Sequence, residues 1–343
     1  MLLVIYALPV FLVVYALDLY EREPASLLLG ALLWGAVAAT SLAGLANDGW
    51  GLVVARVGGP EFAARWSAAL TAPIVEETLK GLGVVMIYLI ARDEVDDVMD
   101  GFVYGAVCGL GFAVVEDVFY FIAVFGGRPR DVLQGFFLRV VASGLYSHVL
   151  YTGLVGMGVG YFVTRRERVP LAKRLGVAAG LSGVAALAHF VWDSPLLDLF
   201  PAQPWHGIDW LLVPLATGVK GVPLLGFVVV AVVLARRLER RWLAGALAPE
   251  VDGAAVWPEE LEVLKDARRR RVARRQMERR AGRNAARLLK RLQREQVNLA
   301  MIRSKVATSE DPALAEQRAY CRSLRAALQA VPNAAPAEAG PLR

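Results

Sequence analysis

The sequence contains few cysteines and few histidines, and it has too little charge for a soluble protein of its size. Only Cys108 and Cys321 occur in 343 residues, so a disulfide framework is excluded. Charged residues make up 20% of the chain and hydrophobic residues 56%, with a mean hydropathy of +0.46. A soluble fold of this composition would expose apolar surface to water, so an integral membrane protein is predicted.

Apolar runs long enough to cross a hydrocarbon core of about 30 Å recur along the first two thirds of the chain. They lie at residues 2–17, 27–46, 72–91, 99–125, 132–164, 175–193 and 208–235. We therefore predict an all-α, polytopic membrane bundle of about seven transmembrane helices. No basic residue precedes the first run and no small-residue cleavage site follows it, so we expect a retained helix rather than a signal peptide.

Two segments are less regular than the apolar runs around them. The last run contains Pro214, Lys220 and Pro223 and could form one kinked helix or two shorter ones. Between the second and third runs, residues 58–70 are amphipathic, which predicts a helix lying on the membrane surface.

The charge is divided unevenly along the chain. Residues 236–343 contain 24 Lys or Arg and 13 Asp or Glu, a net charge of +11, whereas the remainder contains 14 and 19, a net charge of −5. We therefore divide the chain into a transmembrane domain, 1–236, and a basic, largely helical tail, 237–343, with a disordered end. Basic clusters at 165–174 and 236–241 should face the cytoplasm, which places the N-terminus outside and the tail in the cytoplasm of a cell-membrane protein.

The tail has a helical pattern of its own. We expect a helix from Pro258 to about Val306 and a second one after Asp311-Pro312. Heptad-like spacing in the second half of the first helix allows a short coiled coil and self-association. The charge favours a solvated helix near anionic lipid, and no nucleic-acid partner is expected because no aromatic residues interleave with it.

Ionisable residues inside the apolar runs carry the functional signal, because a charge at the bilayer centre costs about 2.5–3.5 kcal/mol on insertion scales. The third run contains Glu76, Glu77 and Lys80. Glu76 precedes Lys80 by four residues, which is the favourable order for a helical ion pair. Glu77 points about 100° away, so we expect it to have no local partner and to be available for chemistry.

Two histidines and another glutamate lie in later runs. Glu116 lies on the same face of the fourth run as Gly101, Gly105 and Gly109, so it should lie at a helix interface. His148 and His189 lie in the fifth and sixth runs, and Asp193, one turn beyond His189, can accept its ring N–H. Two histidines and a glutamate form a ligand set of catalytic zinc, with a further carboxylate as the general base on water. The residues thus indicate Glu116, His148 and His189 as metal ligands and Glu77 or Glu76 as the base.

The order of these residues resembles a known family. Glu76-Glu77-x-x-Lys80, Phe112-x-x-x-Glu116, His148 and His189-x-x-x-Asp193 look like the motifs of the PrsW family of membrane metalloproteases. That family is similar in turn to type II CAAX prenyl endopeptidases and bacteriocin-immunity membrane proteins, but Lys80 and Glu116 follow the PrsW pattern rather than that of the CAAX branch. The resemblance covers residues 70–195. It implies proteolysis of a membrane-anchored protein, which for PrsW itself is an anti-sigma factor.

We therefore expect an intramembrane metal-dependent endopeptidase. Glu77 would activate water, Glu76 and Lys80 would position that base, and Asp193 would orient His189. The expected cofactor is a divalent metal, with zinc as the first candidate. The expected partners are the lipid bilayer and a membrane-anchored protein substrate, an anti-sigma factor or another signalling protein.

Two other classes of protein fit part of the pattern. Glu/His chains inside membrane helices also form proton relays, so a proton-coupled transporter or channel is one alternative. Transporters usually contain internal repeats, and the sequence has none that we can detect. The other alternative is a non-catalytic membrane scaffold, in which the polar residues tie helices together and the basic tail recruits cytoplasmic partners.

Overall fold

The computed structural model describes residues 2–17, 23–95, 97–142, 147–166, 169–196, 206–252, 255–306 and 308–334. Helices dominate this part of the chain and no strand occurs in it, which confirms the all-α fold class. The chain divides into two compact units. Unit 1 comprises Met1–Asp18 and Arg22–Ala235, and unit 2 comprises Leu19–Glu21 and Arg236–Arg343.

The helices of unit 1 follow the apolar runs. In chain order they are α1, Leu2–Leu17; α2, Ala25–Leu33, which continues through a π-helical turn at Trp34–Ala39 into α3, Thr40–Gly58; α4, Pro60–Ile90; α5, Val98–Ala123; α6, Pro129–Phe136, which continues into a π-helical turn at Phe137–Ala142; α7, His148–Thr164; α8, Leu171–Asp193; and α9, Asp209–Asp252. A single 3-10 turn at Arg92–Glu94 lies between α4 and α5.

Four helical segments are long and apolar enough to cross a membrane, which makes the chain a multi-pass membrane protein. They are Ala25–Gly58, Val98–Ala123, Leu171–Asp193 and Asp209–Val251. Helix α1 is apolar but shorter, and α7 has only 17 residues. Helix α4 has 31 residues, but its apolar part contains the three charged side chains Glu76, Glu77 and Lys80. By length and composition, the described residues thus support four of the roughly seven predicted spans.

Several boundaries differ from the prediction. Residues 58–70, which were expected to form a separate surface helix, instead form the end of α3 and the first part of α4. Gly59, with φ of +86°, ends α3, and Pro60 begins α4 at the position where its missing N–H is tolerated. The fifth run is described as two helical pieces, α6 with its π-turn and α7, on either side of residues 143–146, which lie outside the described residues. The last run is one helix, α9, despite its two prolines.

Helices α5 and α7 pack with their backbones in direct contact. A Cβ atom on Gly105 would lie 2.2 Å from the carbonyl oxygen of Thr152, and one on Gly109 would lie 2.2 Å from that of His148. Only glycine allows this approach, as the glycine-lined face of the fourth run predicts. The contact fixes the first turn of α7, and with it His148, against the middle of α5.

Unit 2 has a hydrophobic core of its own. The end of α9 contributes to it, together with α10, Pro258–Leu264; α11, Ala267–Lys305; and α12, Pro312–Gln329. The helix expected from Pro258 is therefore two helices, and the second of these bends at Gly282, where φ is +83°. The helix expected after Asp311 is α12, and the Asp311 side chain accepts a hydrogen bond from the backbone N–H of Ala313 at 2.9 Å.

The apolar heptad face of α11 is buried inside unit 2. Leu292 and Leu299 have 1% and 0% of their surface exposed, and Leu288 and Ile302 pack against the same core. The face that suggested self-association therefore packs within the unit. Self-association through this helix stays a prediction. Most of the end that was expected to be disordered, residues 335–343, lies outside the described residues.

Candidate active site

The middle of α4 carries three buried ionisable side chains. Glu76 and Glu77 are each 4% exposed and Lys80 is 0% exposed. Lys80 Nζ lies 2.6 Å from Glu77 Oε1 and 3.5 Å from Glu76 Oε2. The expected Glu76–Lys80 pair is present, but the expectation that Glu77 has no local partner is wrong. Residues three and four apart are both neighbours on a helix, so one ammonium can contact both carboxylates.

Other helices hold the same two carboxylates from outside α4. Thr152 of α7 donates its hydroxyl to Glu77 Oε2 at 2.9 Å, and His189 Nδ1 of α8 lies 3.2 Å from Glu77 Oε1. Asn47 of α3 donates its side-chain amide to Glu76 Oε1 at 3.1 Å. Both carboxylates are therefore oriented by side chains from separate helices, and neither is free to rotate without losing a partner.

His148 lies at the first position of α7, where its two ring nitrogens face different sides of the site. Lys80 Nζ lies 2.9 Å from Nδ1, and Glu116 Oε2 lies 2.9 Å from Nε2. Because an ammonium can only donate, Nδ1 accepts and Nε2 carries the proton that it donates to Glu116. The lone pair of Nδ1 consequently faces the Lys80 ammonium, and Nδ1 lies 3.9 Å from the nearest oxygens of Glu76 and Glu77.

His189 projects from the last turn of α8 into the same cluster. Its Nε2 lies 3.2 Å from Asp193 Oδ2, so the contact expected from the i,i+4 spacing is present. Nε2 also lies 3.9 Å from Glu76 Oε2, and the ring stacks on Tyr151 with 4.9 Å between centroids. With Glu77 at Nδ1 and Asp193 at Nε2, both ring nitrogens face carboxylate oxygens.

Arg139 is a site residue that sequence reasoning missed. It lies in the π-helical turn after α6, where its Nη2 contacts Glu116 Oε2 at 2.5 Å and its Nε contacts Asp117 Oδ1 at 2.6 Å. Its guanidinium also lies over the ring of Tyr120, 3.8 Å from the centroid. A lone arginine within an apolar run was the available signal, but its partners could not be assigned from spacing.

One group of site residues has the composition and proximity of a metal site. Glu76, His148 and His189 each offer one ligand atom, and these atoms all lie within 4.8 Å of one another. Glu116, predicted as the third ligand, lies on the far side of His148 and contacts Arg139 as well. The structure therefore brings together all seven predicted site residues, but it places Glu76 rather than Glu116 in the three-residue group.

A cavity of about 720 Å³ adjoins this cluster. Glu76, Glu116, His148 and His189 line it on one side, and small or apolar residues of α3, including Ala43 and Gly44, line it on another. Its size lies within the range of pockets that enclose small ligands.

A buried set of carboxylates and imidazoles, carried on apolar helices beside a cavity, is a functional site inside the membrane, and its residue types fit metal-assisted hydrolysis. A model of the PrsW family of intramembrane metalloproteases matches residues 23–235. Protease PrsW of Geobacillus kaustophilus (strain HTA426) is 29% identical over 205 residues, which are 58% of this chain and 72% of that protein. No solved structure matches the chain. The chain belongs to the PrsW family, and membership implies a peptidase with a protein substrate and a lipid bilayer around it.

Proposed function

We propose that the protein is a zinc-dependent endopeptidase that cleaves a membrane-anchored protein within or next to the bilayer. The supporting observation is the convergence of Glu76, Glu77, His148 and His189, from three helices, beside the 720 Å³ cavity in a chain of the PrsW family. The proposal includes about seven membrane spans, the N-terminus outside and the tail in the cytoplasm, on the grounds of the apolar runs and the positive-inside rule. The resemblance to PrsW suggests an anti-sigma factor or another signalling protein as the substrate.

Glu76, His148 and His189 would hold the metal. Their donor set, one carboxylate and two imidazoles, is that of catalytic zinc with a fourth position open to water or substrate. When bound, such an ion supplies Lewis-acid polarisation of a carbonyl and makes a nearby water more acidic. The set predicted from the sequence, with Glu116 in place of Glu76, remains the rival. The first set is favoured because its three ligand atoms all lie within 4.8 Å of one another.

Glu77 would be the general base. Its Oε1 already faces Lys80 and His189, whereas Oε2 has the Thr152 hydroxyl as its neighbour. We assign Oε2 as the atom that takes the proton from water and later gives it to the leaving amine. Lys80 would hold Glu77 in place, and Asp193 would orient His189 through the 3.2 Å contact with Nε2.

Metal content separates the two ligand sets. The purified protein and its Glu76→Gln and Glu116→Gln variants would be loaded with zinc, desalted and analysed by elemental mass spectrometry. We expect wild type and Glu116→Gln to retain about one zinc per chain and Glu76→Gln to lose it. The opposite result would establish Glu116 as the ligand. A wild-type protein that holds no divalent metal and cleaves in the presence of a chelator would refute the metal proposal altogether.

Cleavage of a membrane-anchored model substrate tests the base. Glu77→Gln should reduce turnover by about 10²–10⁴-fold, which is the usual contribution of a general base, while zinc remains bound. The matched control is Asp48→Asn, an exposed carboxylate that also lines the cavity and has no assigned role. If Glu77→Gln kept more than about a tenth of wild-type turnover, the assignment of the base would be wrong.

A further inference from the structure

The basic part of α11 forms two helical arms that meet at Gly282. We call residues 269–294 the basic hairpin. It contains 11 arginines, Lys290 and a single carboxylate, Glu278, which give it a net charge of +11. Gly282, with φ of +83° and ψ of 176°, allows the chain to turn between the arms, a conformation that other residues rarely adopt.

Cations from both arms line a shared cleft of about 320 Å³. Arg271, Arg274 and Arg275 come from the first arm, and Arg283, Arg287 and Lys290 come from the second. Glu278 is the one carboxylate in the lining, and it lies 3.5 Å from Arg283 in a largely exposed pair. The cleft therefore has an excess of five positive charges, whatever pairs form within it, and it is large enough for a small anionic group.

The chemistry of the hairpin favours phosphate and disfavours both insertion into lipid and stacking on bases. Arginine binds phosphate oxygens through two parallel hydrogen bonds. The larger apolar side chains of the hairpin, among them Met277, Leu288 and Leu289, pack against the core of unit 2, so they are not available to enter the acyl region. Val272 is the exposed exception, and one valine is too small an apolar surface for insertion. No aromatic residue occurs in the hairpin to stack on a nucleobase.

We propose that the basic hairpin binds the phosphates of anionic lipid headgroups. Residue 236, where unit 2 resumes, directly follows the apolar run of the last membrane helix, so the hairpin is covalently tethered to a membrane-spanning segment. Each basic residue near an anionic surface contributes about 1 kcal/mol. The interaction is electrostatic adsorption, and it weakens steeply with salt.

The test uses the full chain in phosphatidylcholine nanodiscs, with its binding to added vesicles measured by flotation. Vesicles with about 30% phosphatidylglycerol should bind at about 0.1 M salt and dissociate at about 0.5 M, and pure phosphatidylcholine vesicles should not bind. Replacing Arg271, Arg275 and Arg287 with glutamine should weaken binding by about 100-fold, at about 5-fold for each residue. Replacing the same three with lysine should restore most of the affinity, which excludes misfolding as the cause.

The matched control neutralises Arg240, Arg241 and Arg322, three exposed arginines of unit 2 outside the hairpin. We expect this variant to lose less than about 5-fold. A loss equal to that of the hairpin variant would overturn the proposal in favour of charge spread over the whole unit. Displacement by inorganic phosphate at constant ionic strength would identify a soluble anion as the ligand, and tighter binding of a labelled oligonucleotide would identify a nucleic acid. Either of these results would also overturn the proposal.

Discussion

Lys80 is the cation that lies between the two buried carboxylates of α4, and its removal should be costly. Replacing Lys80 with methionine keeps an unbranched side chain of similar length and removes the charge. Glu76 and Glu77 would then remain buried without the ammonium that lies 3.5 Å and 2.6 Å from them. Removing one partner of a buried pair costs about 3–5 kcal/mol, and we expect Lys80→Met to lower the free energy of unfolding by this amount.

Removing the charge of Glu77 should lower the free energy of unfolding by less than removing the charge of Lys80. In Glu77→Gln, Lys80 keeps its contact with Glu76, and the glutamine can still accept the hydroxyl of Thr152. We expect a loss of about 1.5–3 kcal/mol, the range for a hydrogen bond to a charged group. The double variant, Lys80→Met with Glu77→Gln, removes both charges, so it should be more stable than the sum of the single losses predicts, by about 1–3 kcal/mol.

The assay is denaturant-induced unfolding of the purified protein in detergent micelles, followed by circular dichroism. Lys220→Met is the matched control, because Lys220 is a half-buried lysine of α9 whose ammonium donates to the carbonyl oxygen of Trp192 at 3.3 Å. It should cost less than about 1.5 kcal/mol. Losses that add to within about 0.5 kcal/mol in the double variant would refute the coupling between Lys80 and Glu77.

Three further predictions concern packing, a buried thiol and topology. Gly105→Ala should destabilise the protein by about 1–3 kcal/mol, because the new Cβ would meet the backbone of α7 at 2.2 Å. The control Gly180→Ala, whose new Cβ would have no atom within 4 Å, should not destabilise it. Thermal unfolding in detergent measures both variants. Burial raises the pKa of the Cys321 thiol to about 12, so at pH 8 about one thiol in 10⁴ is ionised, against about one in four at the ordinary value of 8.5. Cys321 should therefore react slowly with a maleimide until unit 2 unfolds. The labelling rate of the folded protein should rise with pH up to about 12. Rapid labelling of the folded protein at pH 8 would contradict the burial of this thiol. Glu61→Cys should react with an impermeant thiol reagent outside intact cells and Lys173→Cys only after permeabilisation, and the opposite pattern would invert the proposed orientation.

The helices of unit 1 could largely be located from the sequence, because apolar runs and their breaks are local features. The boundaries that failed depend on more than composition. Helix α4 begins 12 residues before the apolar run at 72–91, since Pro60 can start a helix and neither glycine nor a further proline occurs between it and that run. The tail helix expected to run from Pro258 to about Val306 bends at Gly282, and a single glycine inside a charged helix gives no indication of which conformation it adopts.

The sequence predicts which residues belong to the site better than it predicts which of them contact one another. A charged or imidazole side chain within an apolar run needs a partner, so Glu76, Glu77, Glu116, His148 and His189 could be selected without a structure. The distances between these residues could not be predicted, because they depend on the rotation of each helix about its own axis. Spacing favoured the i,i+4 pair with Lys80, yet the i,i+3 contact with Glu77 is the shorter one.

The contacts of Arg139 also could not be predicted, and its partners lie further away in the sequence. It pairs with Glu116, 23 residues away, from a π-helical turn, and π-helical geometry changes the direction of each following side chain. A sequence pattern that assumes 3.6 residues per turn cannot give that direction. The sequence therefore shows the arginine as a charge within an apolar run, but it does not show its two carboxylate partners.

Charge balance gives a physical reason to prefer one metal-ligand set over the other. The contact network at the site contains five carboxylates, Glu76, Glu77, Glu116, Asp117 and Asp193, and two fixed cations, Lys80 and Arg139. Its formal net charge is −3 when both histidines are neutral. In apolar surroundings such an excess is costly, and a divalent ion would reduce it to −1. If Glu76 is the carboxylate ligand, Lys80 keeps Glu77 and Arg139 keeps both of its partners. If Glu116 is the ligand, it is drawn from Arg139, which retains Asp117 alone, while Glu76 and Glu77 continue to share one ammonium. The first arrangement neutralises the most crowded carboxylates and breaks no contact of Arg139, so the geometry that favours Glu76 and the electrostatics agree.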